Sequence, residues 1–391
     1  MRKMNHILFK PGKLLILLAL MHGSVAMAQD HTDKRSVSRS YPASLETTLE
    51  VQNKYGKIQV ATWDKDSVAI EVDIYLSESS SSKLRKLKED IKIDFTGTKT
   101  YIIAKTMIES ESGRIASELK SISNTISGSN KRIEINYMVY LPAYMDVVLH
   151  NKFGDIYLDD LEGQADIALS NGVLKANRLD GNSTISLSFA NGMIKSLGSA
   201  NVKLSYSDLV LEEVSQLDLS SKSSKLNVDS VNILKIDSRR DKLYFKHVEY
   251  FYGKSNFTEV WVYDFLRESD LQMKYGELTI EHVMPDFSKI FVRSEYADVT
   301  LYFDRESSLA FDILHHEKTI LRLPGSDVLL EESISGKDHF RTVGTLGSLG
   351  TKGSLGTRGS LGTKGSLGTG DPLGQLRIDA LQKCFINISY K

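Results

Sequence analysis

Val147-Val148-Leu149-His150-Asn151-Lys152-Phe153-Gly154-Asp155-Ile156-Tyr157-Leu158 is the stretch that decides the fold. Apolar residues alternate from Val147, which is strand periodicity. A small polar turn carrying an aromatic and a carboxylate follows, and alternation resumes at Ile156. Variants of this phrase fill most of the chain. The first apolar residue after each turn is Ile156, Leu174, Ile194, Leu209, Leu226, Leu243, Val260, Leu278 and Val299, in steps of 18, 20, 15, 17, 17, 17, 18 and 21 residues. A repeat of this length marks a quasi-one-dimensional stack, because one copy cannot bury its own apolar face. The expected architecture is all-β: a parallel β-solenoid, or β-helix, with rungs of about 17–18 residues spaced about 4.8 Å apart, plus a small α+β capping insert.

Asn171-Gly172 and Asn191-Gly192 would suit hairpins instead. The spacing of the copies, however, holds better than their turn chemistry, which runs from Asn-Lys-Phe-Gly-Asp to Ser-Arg-Arg-Asp-Lys. Stacking predicts two columns. Three before the anchor stand Phe153, Tyr206, Ser223, Arg240, Phe257, Tyr275 and Tyr296. Just before it stand Asp155, Asp208, Lys225, Lys242, Glu259, Glu277 and Asp298.

Around this repeat the chain divides further. Residues 1–28 read as a signal peptide: Arg2, Lys3, Lys10 and Lys13, an apolar core over Leu14–Met21, and Ala26-Met27-Ala28 as cleavage site. Residues 29–43 read as a flexible leader and 44–76 as the first solenoid strands. Residues 77–131 break the rhythm with a short helical pattern over Lys83–Glu89, Ser82 as its N-cap, and a second helical pattern at Ile115, Leu119, Ile122 and Ile126. This insert reads as a cap over an open end, or as a binding lobe. Residues 132–342 carry the main solenoid. Residues 343–374 are low in complexity, with Gly-Ser-Leu-Gly-Thr-Lys or its Arg variant recurring every six residues. Their glycine content favours a flexible loop, with a left-handed hexapeptide coil as rival. Residues 375–391 read as closing strands that form a hairpin.

Lys+Arg 49 against Asp+Glu 50 leaves no field for nucleic acid. Cys384 is the only cysteine, so no intramolecular disulfide can form, and its alternating context places it in a core.

Three segments resemble the bacterial putative-adhesin β-solenoid family, an envelope domain of unknown function common in Bacteroidetes. They are Trp63–Val72, the run from Val139-Tyr140-Leu141-Pro142 to Ile156, and the later set Tyr206-Ser207-Asp208, Tyr275-Gly276-Glu277 and Tyr296-Ala297-Asp298. The resemblance spans roughly residues 44–310 outside the insert. It implies a fold and no catalytic residues.

Chemistry is sparse. Asp155, Asp159 and Asp160, or Asp208, Glu259, Glu277 and Asp298, would be acids of a polysaccharide-cleaving β-helix, but carboxylates at solvated turns are ordinary. His315-His316 point to opposite strand faces, and His247, His282 and His339 stand isolated in sequence. Asn182-x-Thr184 and Asn256-x-Thr258 fit glycosylation sequons. No catalytic, cofactor-binding or metal residues are assigned, and no cofactor. The expectation is a non-enzymatic exported cell-envelope protein, in the periplasm or on the outer surface of a Gram-negative bacterium. It would be adhesin-like or a scaffold, with no transmembrane segment after signal cleavage, and its partner an envelope protein or glycan. Tyr244, Tyr250, Tyr252, Trp261 and Tyr263 are the aromatics offered as contacts, chiefly Trp261, Tyr263, Tyr244 and Tyr252. The alternatives are the glycan-cleaving enzyme and an accessory protein in envelope stress signalling.

Overall fold

The computed structural model describes residues 30–109, 132–325, 328–347 and 374–391. The signal-peptide segment, the helical pattern at Ile115–Ile126 and all but the first residues of the period-six tract lie outside them. The described chain is almost entirely β, with strands linked into one large, mostly parallel sheet. In order they are β1 (His31–Pro42), β2 (Thr48–Lys54), β3 (Ile58–Thr62) and β4 (Ser67–Glu78), helix α1 (Ser81–Asp90), then β5 (Ile91–Gly97), β6 (Tyr101–Ile108), β7 (Arg132–Leu141), β8 (Asp146–Lys152), β9 (Ile156–Leu158), β10 (Ala165–Ser170), β11 (Val173–Leu179) and β12 (Ser183–Ser188). The long bent strands β13 (Asn191–Ser205), β14 (Asp208–Lys222), β15 (Lys225–Arg239), β16 (Lys242–Val283) and β17 (Lys289–Phe303) follow. The last are β18 (Leu309–His316), β19 (Ile320–Arg322), β20 (Val328–Ile334), β21 (His339–Leu346), β22 (Gly374–Ala380) and β23 (Phe385–Tyr390).

From β8 to β17, strands pair with the next copy and not with their own neighbour across the turn. Asp208 lies opposite Lys225 and Lys225 opposite Lys242, in parallel. The Asn-Gly steps at 171 and 191 therefore close no hairpin. Alternate residues, such as Leu209, Leu211, Leu226, Val228, Leu243 and Phe245, point into one continuous core and are almost fully buried.

The register corrects one anchor. Leu174 pairs with Gly192, and Gly192 with Leu209, so Gly192 and not Ile194 holds that place. A Cβ on Gly192 would meet Leu209 Cδ1 at 2.6 Å and Leu187 Cδ1 at 3.0 Å, so neighbouring leucines fill the space an apolar anchor would take.

The copies from β2–β3 to β17 turn this corner through a residue at positive φ: Tyr55, Phe153, Asn171, Phe189, Tyr206, Ser223, Arg240, Phe257, Tyr275 and Tyr296, all between 51° and 67°. The residue after the corner needs a partner for its N–H along the stack. Ala190 N–H donates to Ser207 Oγ at 3.2 Å, Ser207 N–H to Ser224 Oγ at 3.1 Å, and Ser224 N–H to Asp241 Oδ1 at 2.7 Å. Asp241 is 2% exposed and also accepts from Ser221 Oγ, Ser238 Oγ and Arg239 N–H. In the earliest copies a glycine holds this place. A Cβ on Gly154 would stand 1.9 Å from Gly56 O, and Asn151 Nδ2 instead donates to Gly56 O and Asp155 O. In the Asn-Lys-Phe-Gly-Asp phrase the asparagine thus serves carbonyl acceptors of two copies from the strand, whereas Ser and Asp serve N–H donors from the corner.

The stack departs from chain order at both ends. The β2–β3 copy lies between β8–β9 on one side and β6 with β7 on the other. At the far end β22 and β23 insert in parallel between β17 and the β18–β19 copy. The expected C-terminal hairpin is thus absent. Leu376, Ile378, Ile386 and Ile388 are buried as their alternation implies, but a period of two does not say which strand lies alongside.

The expected loose leader is also corrected, because residues 31–42 form β1, antiparallel to β4. Val343–Leu346, assigned to the low-complexity tract, belong to β21, antiparallel to β18. Helix α1 begins two residues earlier than expected, after Ser80 and not Ser82, and buries Leu87.

Two predictions follow from these positions. Asp241→Ala strands two hydroxyls and two backbone N–H groups in the interior, so chemical denaturation should show a loss of about 2–4 kcal/mol. Leu346 and Gly374 flank Leu309 on its two sides, so the tract joins points roughly 9.6 Å apart, two strand spacings. Deleting residues 353–358 should therefore shift stability by no more than a few tenths of a kcal/mol.

Candidate interaction surface

The corner aromatics form a ladder along the stack. Tyr55 stacks on Phe153 with centroids 5.6 Å apart, Phe189 on Tyr206 at 5.1 Å, Phe257 on Tyr275 at 4.5 Å and Tyr275 on Tyr296 at 5.2 Å. Adjacent copies in register place like rings face to face, each pair contributing roughly 0.5–1.5 kcal/mol beyond burial. Lys54, Lys152 and Lys222 hold their ammonium groups 5.0–5.8 Å from the rings of Tyr55, Phe153 and Tyr206. The sequence column omitted Asn171 and Phe189; correct register adds both.

On the strands that follow the corner, Trp261 and Tyr263 point outward, 46% and 53% exposed. Tyr244 is half-buried one copy away from Trp261, with Lys225 Nζ 5.5 Å from its ring. Lys391 Nζ lies 5.3 Å from the Tyr263 ring and 2.9 Å from Glu281 Oε2. These three aromatics share one outer face. Tyr252 does not join them. It lies before the corner, beside Lys235, and burial, with nearby Glu268, pushes its phenol above the usual value. Its neighbour Tyr250 is half-buried as well.

Beside Tyr263 is a cluster that the sequence did not disclose. Asp264 receives His247 Nδ1 at 2.9 Å and His282 Nδ1 at 3.0 Å, one imidazole on each carboxylate oxygen. His282 Nε2 lies 3.5 Å from Asp304 Oδ2. The Asp304 carboxyl is held below its usual range, first by the Glu306 N–H and further by His282. The histidines looked isolated at separations of 17 and 18 residues from Asp264, which is one copy each way. The repeat itself was the signal. Among the described residues, no group of three or more His, Cys, Asp or Glu side chains is arranged to hold a metal ion.

The other candidates sit singly. His315 is 6% exposed and meets Thr342 Oγ1, while His316 turns outward against His339. Cys384 is 8% exposed, and burial pushes its thiol up. The carboxylates considered for catalysis are spread along the stack. Asp155 accepts from Val173 N–H and Tyr157 O–H, Glu259 pairs with Lys242, Glu277 accepts from Thr279, and Asp298 accepts from Phe385 N–H. Two shallow clefts lie at the N-terminal end. One of about 640 Å³ is lined by residues including Lys34, Asp73, Arg132 and Glu134. One of about 400 Å³ is lined by Trp63, Asp64, Asp66, Tyr144 and Glu162 among others.

On the Tyr252 side, near the C-terminal insertion, Arg293 and Arg377 place their guanidinium carbons 4.5 and 5.1 Å from the Phe291 ring. Arg341 makes two hydrogen bonds to Asp312, at 2.8 and 2.6 Å.

No family model matches this sequence, and no curated protein matches it. Solved structures that align with it include a putative cell adhesion protein from Clostridium sporogenes (12% identity, 92% of this chain and 100% of that one, TM-score 0.18). A putative adhesin from Parabacteroides distasonis aligns at 11% identity over 69% and 94%, TM-score 0.30. A putative lipid binding protein from the same species aligns at 12% over 69% and 93%, TM-score 0.20. The adhesin names agree with the resemblance drawn from the sequence. At these identities and scores they carry no argument about activity. No helix among the described residues is long and apolar enough to cross a membrane.

The Asp312 pair makes a pH prediction. Its carboxyl is depressed below the usual value chiefly by the Arg341 hydrogen bond. A depressed carboxylate stabilises the fold above its unfolded pKa of about 4 and loses that contribution as pH falls through the lower folded value. Urea titrations of wild type and Asp312→Asn should therefore differ at pH 7, and the gap should close as pH drops below about 4.

Proposed function

We propose that this chain is a non-enzymatic, exported envelope protein, a β-solenoid that offers its flanks to a glycan or protein partner. Support for the solenoid comes from the parallel pairing of each copy with the segment 17 or 18 residues on. Support for export comes from the basic and then apolar start of the chain, residues 1–28. The observation that carries the contact function is the exposed pair Trp261 and Tyr263 on the outer face of the sheet. Large aromatics held outward on a rigid sheet bury much area at little entropic cost when a partner docks.

A cleavage reading has one observation in its favour: Asp64, Asp66 and Glu162 line the smaller cleft with Trp63. Against it, Asp66 accepts the Tyr144 hydroxyl at 2.9 Å, and Lys65 Nζ sits 4.6 Å from the Trp63 ring. Asp66 and Trp63 are thus engaged within the cleft.

The test is capture from envelope extract by the mature protein, alongside glycan-array binding. Trp261→Ala with Tyr263→Ala should weaken partner binding by about tenfold or more with unchanged melting. Undiminished binding by that variant would remove Trp261 and Tyr263 from the contact. Reducing sugar released from polysaccharide by wild type, and lost in Asp64→Asn/Glu162→Gln, would replace the contact reading with the enzymatic one.

A further inference from the structure

Rings on the outer face after the corner hold cations. Lys225 Nζ stands 5.5 Å from the Tyr244 ring, Arg322 Cζ 5.0 Å from Phe385 and Lys391 Nζ 5.3 Å from Tyr263. Lys391 shows the full arrangement, since its ammonium also meets Glu281 Oε2 at 2.9 Å. Trp261 stands among these rings, 46% exposed, and has no cation over it among the described residues. Yet an indole face attracts a cation more strongly than a phenol or phenyl face does. Acids stand where such a cation would need them. The corners Phe257 and Tyr275 are stacked, so Trp261, four residues past one, is level with Thr279, four past the other. Glu277, two residues before Thr279, is therefore diagonal to Trp261, and Asp298 lies opposite Glu277 on the next strand. Both acids are exposed. Like charges placed opposite one another destabilise a sheet, and no lysine or arginine among the described residues pairs with either. Glu277 accepts from Thr279 Oγ1 and Asp298 from the Phe385 N–H, each through one oxygen, which leaves the other oxygen of each carboxylate without a partner there. Glu259, the acid before them in the column, is already paired with Lys242.

We propose that Trp261, Glu277 and Asp298 receive a lysine or arginine side chain from a partner protein. The assignment rests on the contact function above and narrows the partner to a basic protein segment. Charge selects that occupant. The indole takes the cation on its face, within about 6 Å of the ring centroid, and the free carboxylate oxygens supply charge-assisted acceptors. Lys391 between Tyr263 and Glu281 is the same pairing made within the chain. A neutral glycan would offer the ring a C–H face but leave both carboxylates unanswered, and an acidic glycan would be repelled by them. A cation also screens Glu277 from Asp298, so the site is better satisfied occupied than empty.

The test uses the mature chain and fluorescein-labelled peptides of alternating glycine and arginine, with glycine–glutamate peptides of equal length and a glycan array beside them. By fluorescence polarisation, wild type should bind the arginine peptide at least about tenfold more tightly than the glutamate peptide, and less tightly as salt is raised. Glu277→Gln/Asp298→Asn keeps the side-chain shapes and removes a like-charge pair, so it should melt no lower than wild type. It should bind the arginine peptide at least about tenfold more weakly, and so should Trp261→Ala. Glu212→Gln/Glu213→Gln removes the same charge from exposed positions elsewhere on the molecule and should stay within about twofold of wild type. An equal loss in that control would reduce the preference to net charge and overturn the site. If Trp261→Ala weakens binding and Glu277→Gln/Asp298→Asn does not, the cation site is overturned while the contact function stands. If wild type prefers a glycan to the arginine peptide, the site is overturned and the glycan form of the function stands. Wild type that binds neither peptide, or binds the arginine peptide unaltered by Trp261→Ala, overturns the site as well. Self-association of the chain that disappears in Glu277→Gln/Asp298→Asn would overturn the partner, replacing it with a second copy.

Discussion

The central run of this fold, from β8 to β17, depends on one backbone conformation that recurs at each corner. Ten non-glycine residues turn the corner at positive φ, a region that costs an L-residue about 1–2 kcal/mol. Only Asn171 among them is of a type that enters it readily. The others are rings, a serine and an arginine, held there by what surrounds them. Strand pairing on both sides of the corner fixes the chain direction, and the corner residue then projects outward in line with those above and below. Stacking of the rings offsets part of the backbone cost, so an unfavourable local conformation becomes a stabilising column only because it is repeated in register. A single copy would have no reason to keep it.

The corner also creates a polar problem inside the molecule. The N–H that follows it points along the stack, where water does not reach, and it must be paired. The chain treats this place in two ways. Early copies put glycine there, and an asparagine from the strand donates to carbonyls of two copies, as Asn151 does to Gly56 O and Asp155 O. Later copies place Ser207, Ser224, Asp241 and Thr258 there, each accepting from the copy before. The ends have a different requirement. A bare copy is an open sheet edge, and at both ends the pairing turns antiparallel, through β1, β4 and β7 at one and β18, β21 and β20 at the other. The edge strand β1 carries Lys34, Arg35, Arg39 and Pro42, residues that discourage further pairing.

Much of this was legible in the sequence, because the period is set by geometry: two short strands and a corner need about seventeen residues wherever they occur. The alternation that names Leu226 and Val228 as core is likewise local. What escaped was whatever depends on which copy lies next to which. Gly192 gives no apolar signal at its anchor place, because Leu187 and Leu209 fill that space from neighbouring strands. The insertion of β22 and β23 between β17 and β18 was hidden because burial alternation is the same for any neighbour. β1 was read as a loose leader because its residues are mostly polar, which is what an edge strand wants. The pairing of His247 and His282 on Asp264 was within reach once the seventeen-residue offset was applied to polar residues as well as apolar ones. On the interaction surface, Trp261, Tyr263 and Tyr244 share a face because positions two apart, or one copy apart, must. Tyr252 fell on the far side of a corner whose position was not allowed for.

A stack of copies with the same apolar pattern faces one more difficulty, that of slipping by a whole unit. The core does little to prevent it: Leu209, Leu226 and Leu243 are interchangeable, and a shift of seventeen residues would bury the same area. The outer columns do discriminate. Asp218 meets Lys235, Asp229 meets Lys246, Asp237 meets Lys254, Glu259 meets Lys242 and Glu295 meets Lys274, each across one copy. Solvated pairs of this kind contribute little stability, about 0–1 kcal/mol each. Their value lies in the alternatives they penalise, since a slipped stack sets like charges against one another or leaves the pairs unmade. Corner residues add to this, because a ring opposite a ring is lost when Ser223 or Arg240 moves into its place. The exposed surface therefore specifies register while the interior supplies cohesion, and that division leaves Trp261 and Tyr263, which make no such pairs with each other, available for contacts of another kind.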